Sequence, residues 1–236
     1  MTRRILTAAA LAALTATAAL RAQTAAAASS ASAVQTQATQ AAMTPAKALA
    51  TLKDGNARFA AGKSAAHDYP AQVHATAGGQ YPYAAIVSCM DSRVSAEIVC
   101  DAGLGDIFNL REAGNVVDVD TLGGLEYAAK VVGVKLIVVM GHSHCGAVKG
   151  AIDGVQLGNL TDLLKKIQPA MPPPVPAAKS KDDAYVQKVA EANVRLQMKQ
   201  ILDKSSVIKE LVQSGKVGIA GAMYDIDNGK VTFLAD

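Results

Sequence analysis

Residues 135–146 read Lys135-Leu136-Ile137-Val138-Val139-Met140-Gly141-His142-Ser143-His144-Cys145-Gly146. The run from Lys135 to Met140 is the strongest strand signal in the chain, a short apolar segment of the kind buried in a parallel sheet. It ends in ligand-type side chains, and Gly146 permits the tight turn into a helix from Ala147. A second such run, Tyr83 to Ser88, ends in Cys89-Met90-Asp91-Ser92-Arg93. In open α/β sheets the functional crevice lies at the carboxyl ends of the strands. If these two strands are neighbours, Cys89, His142 and Cys145 converge there. Two thiolates and one imidazole form a natural zinc site with a fourth position open, which is the catalytic rather than the structural pattern.

Working outward, strands alternate with helices. Thr44-Pro45 has the form of an N-cap followed by proline at the first helical position, and Ala48, Leu52 and Phe59 recur at helical spacing up to Gly62. Residues 63–80 read as loop or short helix. Asp106 to Leu110 is a second short strand, and Thr121 to Val132 a helix with Leu122, Leu125, Tyr127 and Ala128 inward. Five prolines between Pro169 and Pro176 exclude helix and central strand. Asp183 to Ser214 is a long helix, broken near Lys204-Ser205. Val217 to Ala222 and Val231 to Leu234 are strands about a turn at Asp227-Asn228-Gly229. The expected fold class is α/β: a mostly parallel central sheet flanked by helices, with an N-terminal helix extending away.

The N-terminus carries a different signal. Of the first 50 residues 21 are alanine, and Arg3-Arg4 precede an apolar-to-small run from Ile5 to Leu20. A basic start, a run too short and weak to span a bilayer, and Ala31-Ser32-Ala33 make residues 1–33 a secretory signal peptide by pattern. Periplasmic or secreted localisation follows; Thr2-Arg3-Arg4 also admits twin-arginine export. Residues 34–43 read as a flexible tether, and the folded domain as 44–236. The net charge of +3 belongs to that export segment, since Arg3, Arg4 and Arg21 lie in it and the remainder holds 20 basic and 20 acidic residues. Four per cent aromatics, no tryptophan and that balance argue against a nucleic-acid surface. Three cysteines exclude a disulfide scaffold.

Taken together the motifs resemble the β-class carbonic anhydrases. Leu52-x-x-Gly55-Asn56-x-Arg58-Phe59 is similar to that family's N-terminal helix motif. Cys89-x-Asp91-Ser92-Arg93 and Gly141-His142-x-x-Cys145-Gly146 resemble its two zinc motifs, and Arg111-x-Ala113-Gly114-Asn115 the segment between them. Gly221-Ala222-x-Tyr224-Asp225 with Gly229-Lys230-Val231 resembles its C-terminal hairpin. The resemblance implies reversible hydration of CO2 to bicarbonate and a proton, with one Zn2+ per subunit on Cys89, His142 and Cys145. It implies an Asp91-Arg93 dyad beside the metal, and a homodimer or multiple of dimers. Gln80 matches an active-site glutamine supplied by the partner subunit. Phe108 and Tyr127 match pocket aromatics, and Gly146 a residue whose backbone N–H faces the substrate. Ile86 stands where a variant subtype with an allosteric bicarbonate site carries tryptophan, which favours the plant-like active-site subtype.

The chemistry is also arguable from the residues alone. CO2 is weakly electrophilic, and zinc lowers the pKa of a bound water to about 7, making hydroxide available. Two thiolates cancel the ion's charge, so an ionised Asp91, kept off the metal by a paired fork to Arg93, is needed to orient that water. Other polar residues have plainer readings. Cys100 is a core thiol, His67 and His74 are solvated, and Asp101, Asp106 and Glu97 are surface or capping groups. Arg111 either reaches the dyad region or makes a structural salt bridge. His144 is less suited than His142 as a ligand and is a candidate proton relay. The rival functions are a same-fold hydrolase of carbonyl sulfide or carbon disulfide, an inactive zinc-binding homologue, and a periplasmic thiol-redox protein. The last lacks a Cys-x-x-Cys pair.

Overall fold

The computed structural model describes residues 33–177 and 179–235; the export segment read at the N-terminus lies almost wholly outside them. One five-stranded sheet organises these residues. Its strands are β1 (Ala84–Ser88), β2 (Ile107–Arg111), β3 (Leu136–His142), β4 (Gly218–Tyr224) and β5 (Val231–Phe233), in the order β2-β1-β3-β4-β5. All pairings are parallel except β4 with β5. β1 and β3 are neighbours, with Ala84 opposite Leu136 and Ser88 opposite Met140, so their carboxyl ends lie side by side. The helices are α1 (Gln37–Ala41), α2 (Pro45–Ala60), α3 (Tyr69–Thr76), α4 (Ala96–Val99), α5 (Val119–Glu126), α6 (Gly146–Asp153), α7 (Gly158–Lys165), α8 (Asp183–Lys204) and α9 (Ser206–Gln213). No helix among the described residues is long and apolar enough to cross a membrane.

Both sheet faces are covered, which is why the strands are apolar throughout rather than alternating. The period of two sends Ala85, Val87, Ile137 and Val139 to one face, where Val189, Val194 and Ile201 of α8 and Leu125 of α5 meet them. Ile86, Val138 and Met140 face the other side, against Leu52 of α2 and Val99 of α4. Ser205 makes the expected break between α8 and α9: its Oγ accepts from the Ile208 N–H at 3.1 Å and donates to Glu126 Oε1 at 2.5 Å.

Five expectations need correction. α2 does not extend away. Ala48 and Leu52 are fully buried, and burying the leucine contributes about 2 kcal/mol. A Cβ at Gly55 would sit 1.9 Å from the Cys100 carbonyl oxygen, so only glycine lets α2 approach α4 this closely. Asn56 completes the dock, donating to the Val99 and Gly229 carbonyls at 3.0 and 2.9 Å and accepting from Val231 N–H at 2.8 Å. Order also begins before residue 44: Thr36 caps α1, and Gln40, buried, donates to the Pro82 carbonyl at 2.7 Å. A segment of Ala, Gln and Thr has no apolar period to announce that dock. Tyr127, expected inward, is half exposed, because two residues past the buried Leu125 it lies about 200° round the helix from the inward stripe; a π-helical segment, Tyr127–Val132, begins at that residue.

Asp101 and His67 are likewise not solvated. The Asp101 carboxylate is 1% exposed and accepts from Arg58 Nε at 2.5 Å and from the Ala65 N–H at 3.0 Å, with His67 Nε2 3.2 Å away. Burial alone would raise its pKa, but these donors outweigh it and hold the carboxyl below its usual range. A group with a depressed folded pKa stabilises above its unfolded pKa, near 3.9, and loses that contribution as pH falls through the folded value. Asp101→Asn is therefore expected to cost about 1–3 kcal/mol at neutral pH. Urea titrations should show the gap from wild type closing below about pH 4.

Candidate metal centre

Cys89 follows directly on β1, His142 ends β3, and Cys145 is the N-cap residue of α6. Their ligand atoms lie within 4.8 Å of one another, and all three residues are buried. The cysteines are free thiols. His142 Nδ1 is 2.8 Å from the Ser143 carbonyl, which requires that nitrogen to carry the proton. In the neutral ring Nε2 is then the lone pair, and it is one of three buried polar side-chain atoms without a hydrogen-bond partner among the described residues. An orphaned imidazole nitrogen facing two sulfurs fits a thiophilic divalent cation, and zinc above all.

The sulfurs are not equivalent. A hydrogen bond from the Cys145 thiol is the main cause that holds Cys89 far below the ordinary thiol range against the pull of burial; the neighbouring His142 ring and the Asp91 N–H add to it, and the Gly114 N–H, 3.3 Å from the sulfur, adds least. Cys145 is pushed the other way as the partner that keeps the shared proton. Gly114 reaches Cys89 because its backbone is left-handed, at φ 67°, and a Cβ there would lie 2.6 Å from Ile167 Cδ1.

Asp91 and Arg93 form the paired fork. Arg93 Nε and Nη2 donate to Asp91 Oδ1 and Oδ2 at 2.9 and 2.7 Å, and the Arg93 N–H adds a third bond at 3.0 Å. The side-chain fork is the main reason Asp91 stays well below the usual carboxylate range, against the pull of its partial burial. Asp91 Oδ2 nevertheless lies only 3.9 Å from His142 Nε2. Arg111 takes the first of its two expected places: its guanidinium donates to the Cys89 and Asp91 carbonyls at 3.2 and 2.6 Å, bracing the loop that carries Cys89, Asp91 and Arg93.

The remaining residues divide. Gly146 opens α6 and is exposed, so its N–H is one of the helix's unbonded first-turn donors. Phe108, on the β2 neighbour of β1, meets Tyr127 edge-on with ring centroids 6.2 Å apart. Gln80 is not brought to this chain's own cluster. It is exposed before the amino end of β1, whereas Cys89 follows the carboxyl end. His144 lies outside the ligand cluster; its left-handed backbone turns the ring toward Asp227, with Nε2 and Oδ2 3.2 Å apart. Cys100 is buried away from the cluster, its thiol pushed up to about 12 by desolvation. The role of the Gly114 amide was not readable from residue types, because it belongs to the backbone; the only signal was a glycine followed by asparagine, the two residues that best tolerate left-handed geometry.

Known proteins share both motif and architecture. The carbonic anhydrase family profile matches residues 84–231. Carbonic anhydrase 2 of Mycobacterium tuberculosis is 38% identical over 195 residues, covering 79% of this chain and 91% of the relative. The carbonic anhydrase of Mycolicibacterium smegmatis is 38% identical over 194 residues, covering 79% and 92%. Among solved structures, a tetrameric β-carbonic anhydrase of Sordaria macrospora superposes with a TM-score of 0.64 at 29% identity, covering 78% of this chain and 94% of that one. The β-carbonic anhydrase CafA of Aspergillus fumigatus gives 0.63 at 26% identity, covering 81% and 91%. With the Cys-His-Cys cluster and its paired fork set at the ends of adjacent parallel strands, the chain belongs to the β-class of the carbonic anhydrase family.

Proposed function

We propose that this enzyme interconverts carbon dioxide and bicarbonate, with one zinc ion held by Cys89, His142 and Cys145. The observation that carries this reading is the buried, unpartnered Nε2 of His142 set within 4.8 Å of two cysteine sulfurs. When bound, zinc supplies the positive charge that makes a water acidic near neutral pH. Asp91, kept ionised by Arg93, presents an oxygen on the cluster's side of the fork. There it accepts a hydrogen bond from water and orients the lone pair that attacks carbon. The Arg93 fork also keeps that carboxylate from closing on the cluster itself. Phe108 and Tyr127 supply apolar surface for a substrate without a dipole. The Gly146 N–H is a donor for the oxygen on which charge develops.

The reading requires a second copy of the chain. A partner's glutamine at position 80 would serve where this chain's own Gln80 cannot. The exposed apolar side chains of Val73, Leu104 and Tyr127 supply surface for such a contact. A monomeric sample, verified by sedimentation, is therefore expected to hydrate CO2 at less than about a hundredth of the dimer's rate. Full turnover by monomer would remove the partner from the account. We also propose that the enzyme works outside the cytoplasm, on the strength of the Arg3-Arg4 start and the Ile5–Leu20 run.

Substrate choice is tested by measuring turnover of CO2, carbonyl sulfide and carbon disulfide on one metal-analysed preparation. Preference for CO2 supports the proposal. Preference for either sulfur compound reassigns the enzyme to hydrolysis of that substrate.

A further inference from the structure

Helix α8 turns an apolar stripe to the core, including Val186, Val189, Val194 and Ile201, yet Asn193 and Gln197 lie in the same stripe at 0% and 2% exposure. Carboxamides in such a place destabilise unless their polar atoms are paired. Here they are paired in one direction. Gln197 Oε1 accepts from the Val117 N–H at 3.0 Å, Gln197 Nε2 donates to Asn193 Oδ1 at 3.0 Å, and Asn193 Nδ2 donates to the Gly114 carbonyl at 2.8 Å. Each bond dictates the orientation of the next amide, so neither side chain can flip without setting oxygen against oxygen.

The chain of bonds ends at the metal centre. Gly114, gripped through its carbonyl by Asn193, donates its N–H to Cys89 Sγ at 3.3 Å. Gly114 and Asn115 are both left-handed, at φ 67° and 48°, a conformation that glycine and asparagine permit without enforcing, so the bonds around the turn select it. Asn193 and Gln197 fix it at both ends of residues 114–117, from the far side of the core.

We infer that Asn193 and Gln197 are positioning residues for the metal centre: they hold the 114–117 turn so that the Gly114 N–H stays aimed at Cys89 Sγ. A hydrogen bond to a ligating sulfur draws charge from it and tunes the metal it binds. Loss of that bond leaves the Cys89 thiolate less stabilised and its orientation unfixed, and both weaken its hold on the metal. The inference rests on the metal site described under Proposed function and extends it to two residues on another element.

The test uses the full chain loaded with cobalt(II), whose sulfur-to-cobalt absorption reports the bonds to Cys89 and Cys145 together, so a change at Cys89 shows as a shift of the summed band. Asn193→Asp keeps the shape but sets an acceptor against the Gly114 carbonyl. Gln197→Met removes the polar contacts at similar volume and serves if the first variant fails to fold. Ile201→Ala truncates the same helix outside the network and controls for general loosening. The two network variants are expected to shift the absorption band and to release cobalt to a chelator about 10–100-fold faster. Ile201→Ala is expected to lower Tm while leaving the band and the release rate at wild-type values. Wild-type bands in both network variants, or an equal shift in Ile201→Ala, would overturn the inference alone. Absence of a sulfur-to-cobalt band in the wild-type protein would overturn the metal site and this inference together.

Discussion

Arg93→Ala is expected to lower carbon dioxide hydration by about 10²–10⁴-fold while the protein keeps one zinc per chain. The expectation follows from how Asp91 is restrained. Two side-chain bonds from Arg93, at 2.9 and 2.7 Å, occupy both carboxylate oxygens, yet Oδ2 already lies 3.9 Å from His142 Nε2. A cation placed between that nitrogen and the two sulfurs would have the carboxylate within a short rotation. Without the guanidinium, a carboxylate facing a cation has one obvious partner, and it takes the position that water needs. Arg93→Lys should recover little, because a single ammonium cannot occupy both oxygens at once. Stopped-flow hydration with metal analysis on the same samples decides it. Near-normal turnover in Arg93→Ala would show that the fork does not gate the site, and metal loss would show that Arg93 serves assembly instead.

The second large effect is on the metal itself. His142→Ala is expected to weaken zinc retention at least about a thousandfold, equivalent to about 4 kcal/mol, and to remove measurable turnover. The imidazole is fully buried, and its proton is fixed on Nδ1 by the Ser143 carbonyl. No other imidazole is placed to replace it among the described residues, since His144 is turned toward Asp227 and Asp183. Two sulfurs alone make a poor site for a tetrahedral ion that needs a third protein ligand. In air the variant should also oxidise more readily at Cys89 and Cys145, once no metal protects them. Equilibrium competition with a chromophoric chelator, with thiol titration alongside, measures both. Retention of stoichiometric zinc at wild-type affinity would show that the third ligand is some other group.

Much of this site was legible in the sequence because it depends on residue type at strand ends. Apolar runs ending in Cys89 and in His142-x-x-Cys145 place ligands by topology, and a mostly parallel sheet leaves those ends together. The same reasoning recovered the Ser205 break in the long helix and the hairpin about Asn228. What it missed depends on partners distant in sequence. Asp101 looks like a surface carboxylate until Arg58 and Ala65 fold over it. Gln40 looks like part of a tether until the Pro82 carbonyl accepts from it. Tyr127 is a miss of another kind: two residues past Leu125 it is about 200° round the helix, so the 3.6-residue period itself sends it outward. Asn193 and Gln197 left one trace, two amides four residues apart on an apolar face, but nothing local indicates that their bonds lead to Cys89.

The account's central claim is that Cys89, His142 and Cys145 hold a zinc ion on which carbon dioxide hydration depends. The most direct test strips the protein with a chelator, confirms by far-UV circular dichroism that it remains folded, and restores zinc stepwise while stopped-flow hydration is recorded. The account predicts no turnover in the stripped protein and a linear recovery that stops at one zinc per chain. Turnover that survives complete removal of metal, or a folded protein that binds one zinc per chain and never hydrates carbon dioxide, would contradict it.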